Sequence, residues 1–349
     1  MGLIRLPLPV AAAHAGLVQI RLITPNDDSD FTAWFDVRLA AQLADFPQGP
    51  QWRQRELQVV YQGNEHHDGR LWLAEEDGVA VGAAVMGLPL RDNLSLAEPE
   101  IYVLPEARRR GVGTALLEAA VAEARENGRT SLLSYLDGPA GSPTTPGTAF
   151  AERHGFTRRI TEIARAQRSP FDLDAIRAAE AAALAHSDGY RIVTWRDRAP
   201  DEYIDEFARL EARLSTDAPL GDLDYEPEVW DADRIRTSEE RQARMGRQTW
   251  NAAAIAPDGT TMAGVTRISL ASDSDVSGFQ NTTIVDPGHR GHRLGLLLKA
   301  ANFEALHRDR PGVQAIWTWN ADSNEHMIAI NETLGYRVEG WSAGYQRDL

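Results

Sequence analysis

The residues best suited to do chemistry sit in one short stretch, Arg108-Arg109-Arg110-Gly111-Val112-Gly113-Thr114, directly after the apolar run Ile101 to Leu104 and Pro105. Beyond Gly113 the residues Leu116, Leu117, Ala120, Val121 and Ala124 recur at helical spacing, so the pattern predicts a strand, a tight turn and a helix. Gly111 and Gly113 carry no side chains. The backbone N–H groups of the first helical turn can therefore approach an anion closely, and the helix dipole favours negative charge there. Three arginines add full positive charges beside those amides, and the chemistry this suits is holding a pyrophosphate. Spacing excludes two other phosphate loops. A P-loop needs Gly-x4-Gly-Lys-Ser/Thr and the dinucleotide fingerprint needs Gly-x-Gly-x-x-Gly, whereas this turn reads Val103-x-Pro105-x-x-Arg108-x-x-Gly111-x-Gly113.

Two carboxylates, Glu98 and Glu100, precede the turn at a spacing that puts them on one face of the strand. A second copy of the motif reads Val285-x-Pro287-x-x-Arg290-x-x-Arg293-x-Gly295. Here Arg293 replaces the first glycine, where it either obstructs the backbone's approach to a pyrophosphate or substitutes a charge-assisted contact. The strand before this copy, Phe279 to Val285, has no carboxylate. Between the copies, residues 217–233 carry acids at 222, 224, 226, 228, 231 and 233 with Tyr225 and Trp230. Such a run either holds a cationic, partly apolar amine or forms an exposed loop. The pairs His66-His67 and His289/His292 do not read as metal sites.

The elements that must position these residues follow the same order twice. In the first half a strand near 17–24, helices over 30–46 and 52–61, and a hairpin about Asp77-Gly78 lead into the Glu98 strand. After the helix come a strand at 131–136, a loop rich in Gly, Pro and Thr, and the segment Thr148 to Phe156. Residues 171–186 read as a helical connector. A strand at 190–195, a helix over 200–214, a hairpin about Pro257-Asp258-Gly259, the second motif, a strand at 314–319 and Asn331 to Tyr336 then repeat the layout.

The turn, its strand and the Thr148 to Phe156 segment resemble the acyl-CoA loop and closing segment of the GNAT N-acetyltransferase superfamily. The resemblance implies an α/β (α+β) fold of two tandem GNAT domains, each a mixed, mostly antiparallel sheet flanked by helices, similar in layout to mycothiol synthase. The expected division is a leader at 1–16, domains at 17–167 and 190–349, and a connector at 168–189. The resemblance further implies acetyl-CoA as cosubstrate and an amine acceptor, whether a small molecule, a peptide or a protein amine. It puts the CoA contacts at Val103 and Arg108 to Thr114, and in the second copy at Val285, Arg290, Arg293, Gly295 and Asn324, the last matching a residue that bonds the pantetheine arm. Glu98 and Glu100 become the catalytic base candidates. The tyrosine that usually protonates the departing thiolate falls at Ala151 and Asn331, so that acid is missing from both copies. Besides catalysis in the first half, two alternatives stand: catalysis in the second half, and a non-catalytic acyl-CoA sensor.

Composition bounds these readings. The 349 residues are 43% hydrophobic and 25% charged, enough for a full core and long enough for two domains. The formal net charge of −15 argues against nucleic acid as a partner and favours a cationic acceptor, although it also aids solubility. Cysteine is absent, which excludes disulfides, thiolate metal sites and an acyl-cysteine intermediate. Among 36 Lys and Arg residues, Lys299 is the one lysine. The first residues hint at a signal peptide that Pro7 and Pro9 interrupt, and no run reaches membrane-spanning length. The expectation is a cytoplasmic monomer or homodimer with no metal and no membrane partner.

Overall fold

The computed structural model describes residues 18–349, and the expected leader lies outside the described residues. The first half runs β1 (Gln19–Ile23), α1 (Asp28–Asp45), α2 (Gln54–Tyr61), β2 (His67–Glu76), β3 (Val79–Pro89), β4 (Leu96–Val103), α3 (Val112–Glu126), β5 (Ser131–Pro139), α4 (Pro146–Arg153) and β6 (Thr157–Arg168). After α5 (Leu173–Leu184), the second half runs β7 (Arg191–Arg196), α6 (Ile204–Asp217), α7 (Ala232–Arg244), β8 (Arg247–Ile255), β9 (Met262–Ala271), β10 (Gly278–Val285), α8 (Leu294–Asp309), β11 (Ala315–Ala321), α9 (Glu325–Thr333) and β12 (Arg337–Asp348).

Local chemistry explains the boundaries. The Asp27 side chain accepts the N–H groups of Ser29 and Asp30 and so starts α1, and Asp172 does the same for α5 through Ala175. Asp77 and Gly78 both adopt positive φ, as a two-residue hairpin turn requires, and join β2 to β3. Helix α7 has no counterpart in the sequence expectations. It buries only Ile235 and is otherwise charged and polar, so it shows no apolar stripe to betray it.

Each half contributes mixed, mostly antiparallel strands flanked by helices, and the two sets join in one twelve-stranded sheet ordered β1-β2-β3-β4-β5-β12-β6-β11-β10-β9-β8-β7. The final strand of each half has crossed over: β12 pairs with β5 from Gly340↔Pro139 to Asp348↔Ser131, and β6 pairs with β11 from Ala315↔Arg168 to Ala321↔Glu162. The crossed strands pair antiparallel with each other at the centre. On one face α3 packs Val112, Leu116, Leu117 and Ala120 over Ala97, Leu132, Trp341, Ala343 and Tyr345, which come from both halves. On the other, α1 and α2 cover Leu71, Leu73, Ala83 and Val85. The halves also meet through Glu56 of α2 and Arg247 of β8, a pair 2.7 Å apart with both side chains 2% exposed. Trp52 stacks on Phe279 beside it, with ring centroids 5.3 Å apart.

Candidate active site

Strands β4 and β5 pair in parallel only at Leu96↔Ser131 and Ala97↔Leu132. Beyond Ala97, β4 stays with β3 as far as Val103 and leaves β5, which opens a wedge in the sheet. The turn sits at the tip of that wedge. Arg108 Nε donates to the Val103 carbonyl at 3.0 Å, and its guanidinium nitrogens hold Asp45 at 2.7 and 3.0 Å, so this arginine ties the strand end to α1. Arg110 pairs with Glu76 at 2.6 Å. Arg109 is exposed and has no carboxylate partner among the described residues. Arg109 and Gly111 take positive φ, 63° and 91°, and Ala115 N–H returns to the Gly111 carbonyl at 3.0 Å as the first helical bond. The N–H groups from Arg109 to Thr114 find no hydrogen-bond acceptor among the described residues, the condition for an anion cradle. A Cβ at Gly113 would come within 3.2 Å of Phe150 and 3.6 Å of Val103, so glycine lets α3, α4 and the strand end close together.

The second copy keeps this construction. Arg290 donates to the Val285 carbonyl at 3.3 Å and holds Asp217 at 3.0 Å. Gly291 and Arg293 are the two positive-φ residues, at 88° and 53°, so glycine and arginine have traded places relative to Arg109 and Gly111. At Gly111 the direction of a Cβ is open space, and an arginine in the matching place therefore preserves the path of the chain at a backbone cost of about 1–2 kcal/mol. Asn324 caps α9 by accepting Met327 N–H at 3.2 Å.

The two wedges differ in what their strands present. Alternation from the α3-packed Ala97, Leu132 and Leu136 turns Glu98, Glu100, Tyr135 and Asp137 to the α1 face. Tyr102 shares that face; its hydroxyl donates to Glu100, its ring packs edge-on against Trp34, and the Arg38 guanidinium lies 5.2 Å over it. His67 Nε2 lies 3.6 Å from Glu98. Ser342 of β12 stands beside both Asp137 and Glu162 in register. Asp137 retains accessible surface inside the cleft, yet poor hydration pushes its carboxyl above the usual range, with Ser342 and Arg38 opposing and the Glu100 charge adding to the rise. Burial, then the Asp137 charge, push Glu162 the same way. Poor hydration in the cleft, then the Glu162 and Glu98 charges, also raise Tyr135, although its ring retains accessible surface. Such a set attracts a cation and can accept its proton. In the second wedge β10 and β11 again pair only twice, at Gly278↔Ile316 and Phe279↔Trp317, but the same face carries Phe279, Trp317 and Trp319 packed on Phe46. Glu211 approaches from α6, buried and already held by Arg267 and Thr282.

This geometry has known counterparts. Residues 31–156 match the acetyltransferase (GNAT) family. A mycothiol acetyltransferase of Acidothermus cellulolyticus is 27% identical over 300 residues, 83% of this chain and 83% of the relative. Another, from Thermobispora bispora, is 28% identical over 161 residues, 45% of this chain and 52% of the relative. The solved tandem GNAT protein from the clavulanic acid biosynthesis pathway, without acetyl-CoA, superposes with a TM-score of 0.76 at 27% identity, over 95% of this chain and 98% of the other. The chain is a tandem GNAT protein. Acyl transfer is the chemistry of its family.

Sequence reasoning about this tandem GNAT protein did not reach Asp137 and Glu162, since Asp137 opens what reads as a loop and Glu162 lies on a crossed strand. It also missed a buried chain in the second half, where Lys299 Nζ donates to Asn331 Oδ1 at 2.6 Å and Asn331 Nδ2 donates to Asn320 at 2.6 Å. Asn331 occupies the place of the missing tyrosine and is fully buried. The acids of residues 217–233 are largely committed: Glu226 accepts Asn93 N–H, Glu228 accepts Tyr225 and Trp230, and Asp231 caps α7 and pairs with Arg91. Among the described residues no helix is long and apolar enough to cross a membrane.

Proposed function

We propose that this chain transfers the acetyl group of acetyl-CoA to a primary amine, by direct attack on the thioester, in the wedge of the first half. The observation that carries the reading is the contrast between the two wedges, carboxylates on one and aromatic rings on the other. Arg109 and the free N–H groups from Arg109 to Thr114 hold the pyrophosphate, and the unpaired edge of β4 near Val103 aligns the thioester carbonyl. Glu98 and Glu100 draw in the acceptor as a cation. One of them takes a proton from the ammonium and so frees the nitrogen lone pair; as the new C–N bond forms and the C–S bond breaks, the second nitrogen proton passes to solvent and CoA leaves as thiolate. A thiol titrates near 8.5, so departure at neutral pH does not require the tyrosine replaced by Ala151 and Asn331.

Thiol release measured over a panel of small primary amines tests this. Glu98→Gln and Glu100→Gln are expected to lower kcat/KM about a hundredfold at the position that serves as base, with acetyl-CoA affinity retained. Binding of acetyl-CoA with no thiol release on any amine would favour the non-catalytic sensor. Turnover that survives both substitutions would move the chemistry to the second half.

A further inference from the structure

A cavity of about 260 Å³ lies between the halves at the N-terminal end of β4. Glu98, His67 and Tyr225 line it together with the α7 residues Arg234, Ser238 and Arg241. Arg234 is occupied, by Asp92, by Glu228 and by the face of Trp230. The bordering acids are occupied as well: Glu228 by Tyr225 Oη and Trp230 Nε1, Asp92 by Arg234 and by Val229 N–H. Arg241 stands apart. It makes no ion pair or side-chain hydrogen bond among the described residues, and its Nε is buried without a partner. Burial, then the nearby Arg234 and Arg267 charges, disfavour its cation. A guanidinium left uncompensated against a cavity wall is costly, and a ligand that supplies the counter-charge removes the cost.

We propose that the acceptor is a small zwitterion, whose primary amine lies toward Glu98 while a carboxylate it carries pairs with Arg241. This rests on the reading of the first wedge as the acceptor site and adds the acceptor's chemical class. Glu98 and Arg241 line the same cavity, so α7 of the second half selects the substrate for the first. The cavity, at about 260 Å³, is of a size that holds a small molecule.

Calorimetric titration of the full chain, saturated with CoA, with 5-aminopentanoate and pentylamine in parallel tests the proposal without requiring turnover. The amino acid is expected to bind at least about tenfold more tightly than the plain amine, the worth of one charge-assisted contact. Arg241→Gln is expected to bring the two affinities within about twofold, with a melting temperature unchanged or raised, because an unpaired buried charge has gone. Equal affinities in the unaltered chain, no binding of either ligand, or a preference that survives Arg241→Gln would each overturn it. The first two of these need no variant to fold. A chain that shows the preference but releases no thiol would sink acetyl transfer and leave the zwitterion site standing.

Discussion

Replacing Lys299 by methionine should stabilise the protein at neutral pH. The lysine lies within α8 and is 2% exposed; Asn331 Oδ1 is its one hydrogen-bond acceptor among the described residues, and the ring of Tyr336 lies 5.1 Å away. Among the described residues no carboxylate offsets the burial, which pulls the ammonium from its ordinary 10.5 down to about 7. The folded state then binds fewer protons than the unfolded chain between those two values. Stability at this site therefore rises with pH across that window, by at most about 1.4 kcal/mol per pH unit, and the full penalty, on the order of 5 kcal/mol, applies below pH 7. Methionine removes the penalty but strands the Asn331 oxygen, which costs about 1–3 kcal/mol. The net expectation is a gain of about 2–4 kcal/mol at pH 7 that shrinks steadily and changes sign toward pH 10. Urea unfolding of both proteins between pH 6.5 and 9.5 measures the difference directly. A difference that is flat across that range, or a variant less stable at pH 7, would refute the reasoning.

Gly113→Leu should abolish acetyl-CoA binding by filling the crevice between Phe150 and Val103, whereas Gly295→Leu, crowding Ile330 in the second half, should leave one molecule bound per chain; calorimetry of both variants decides between the halves. Glu56→Gln leaves Arg247 buried without its counter-charge and should destabilise the chain by about 3–5 kcal/mol, read by denaturant unfolding. Asp137 has its folded pKa raised above the unfolded value, so its contribution is most favourable at low pH and is lost as pH rises through the shifted pKa. Asp137→Asn should accordingly raise the melting temperature at pH 8 more than at pH 4, while weakening the binding of amines.

What the sequence revealed was mostly local. The strand, turn and helix of both motifs follow from Pro105 and Pro287, the glycines and the helical spacing behind them, and the hairpins follow from Asp77-Gly78 and Asp258-Gly259. Glu98 and Glu100 were legible as a pair because alternation along a strand is a short-range rule. Which strand lies beside which is settled by contacts far apart in the chain, so nothing in Thr157 to Arg168 discloses that β6 joins β11 instead of β5. For the same reason Glu162 and Ser342 could not be placed beside Asp137. Helix α7 was invisible because its buried side is held by ion pairs and a single isoleucine. The roles of the three arginines also needed the fold: Asp45 and Glu76, the carboxylate partners of Arg108 and Arg110, come from α1 and β2, and Arg109 has none among the described residues.

The crossing of β6 and β12 means that neither half encodes its own finished sheet. A gene cut at the α5 connector would yield two polypeptides, each with an open ladder of backbone amides and carbonyls along β5 or β11 and a surplus strand seeking a home. Mixed together, the fragments should recover the native assembly; kept apart, each would meet its need by capturing another copy of itself. The covalent tether thus does the work that mutual strand donation does in a symmetric dimer, and it frees one repeat to lose its acids while the other keeps them.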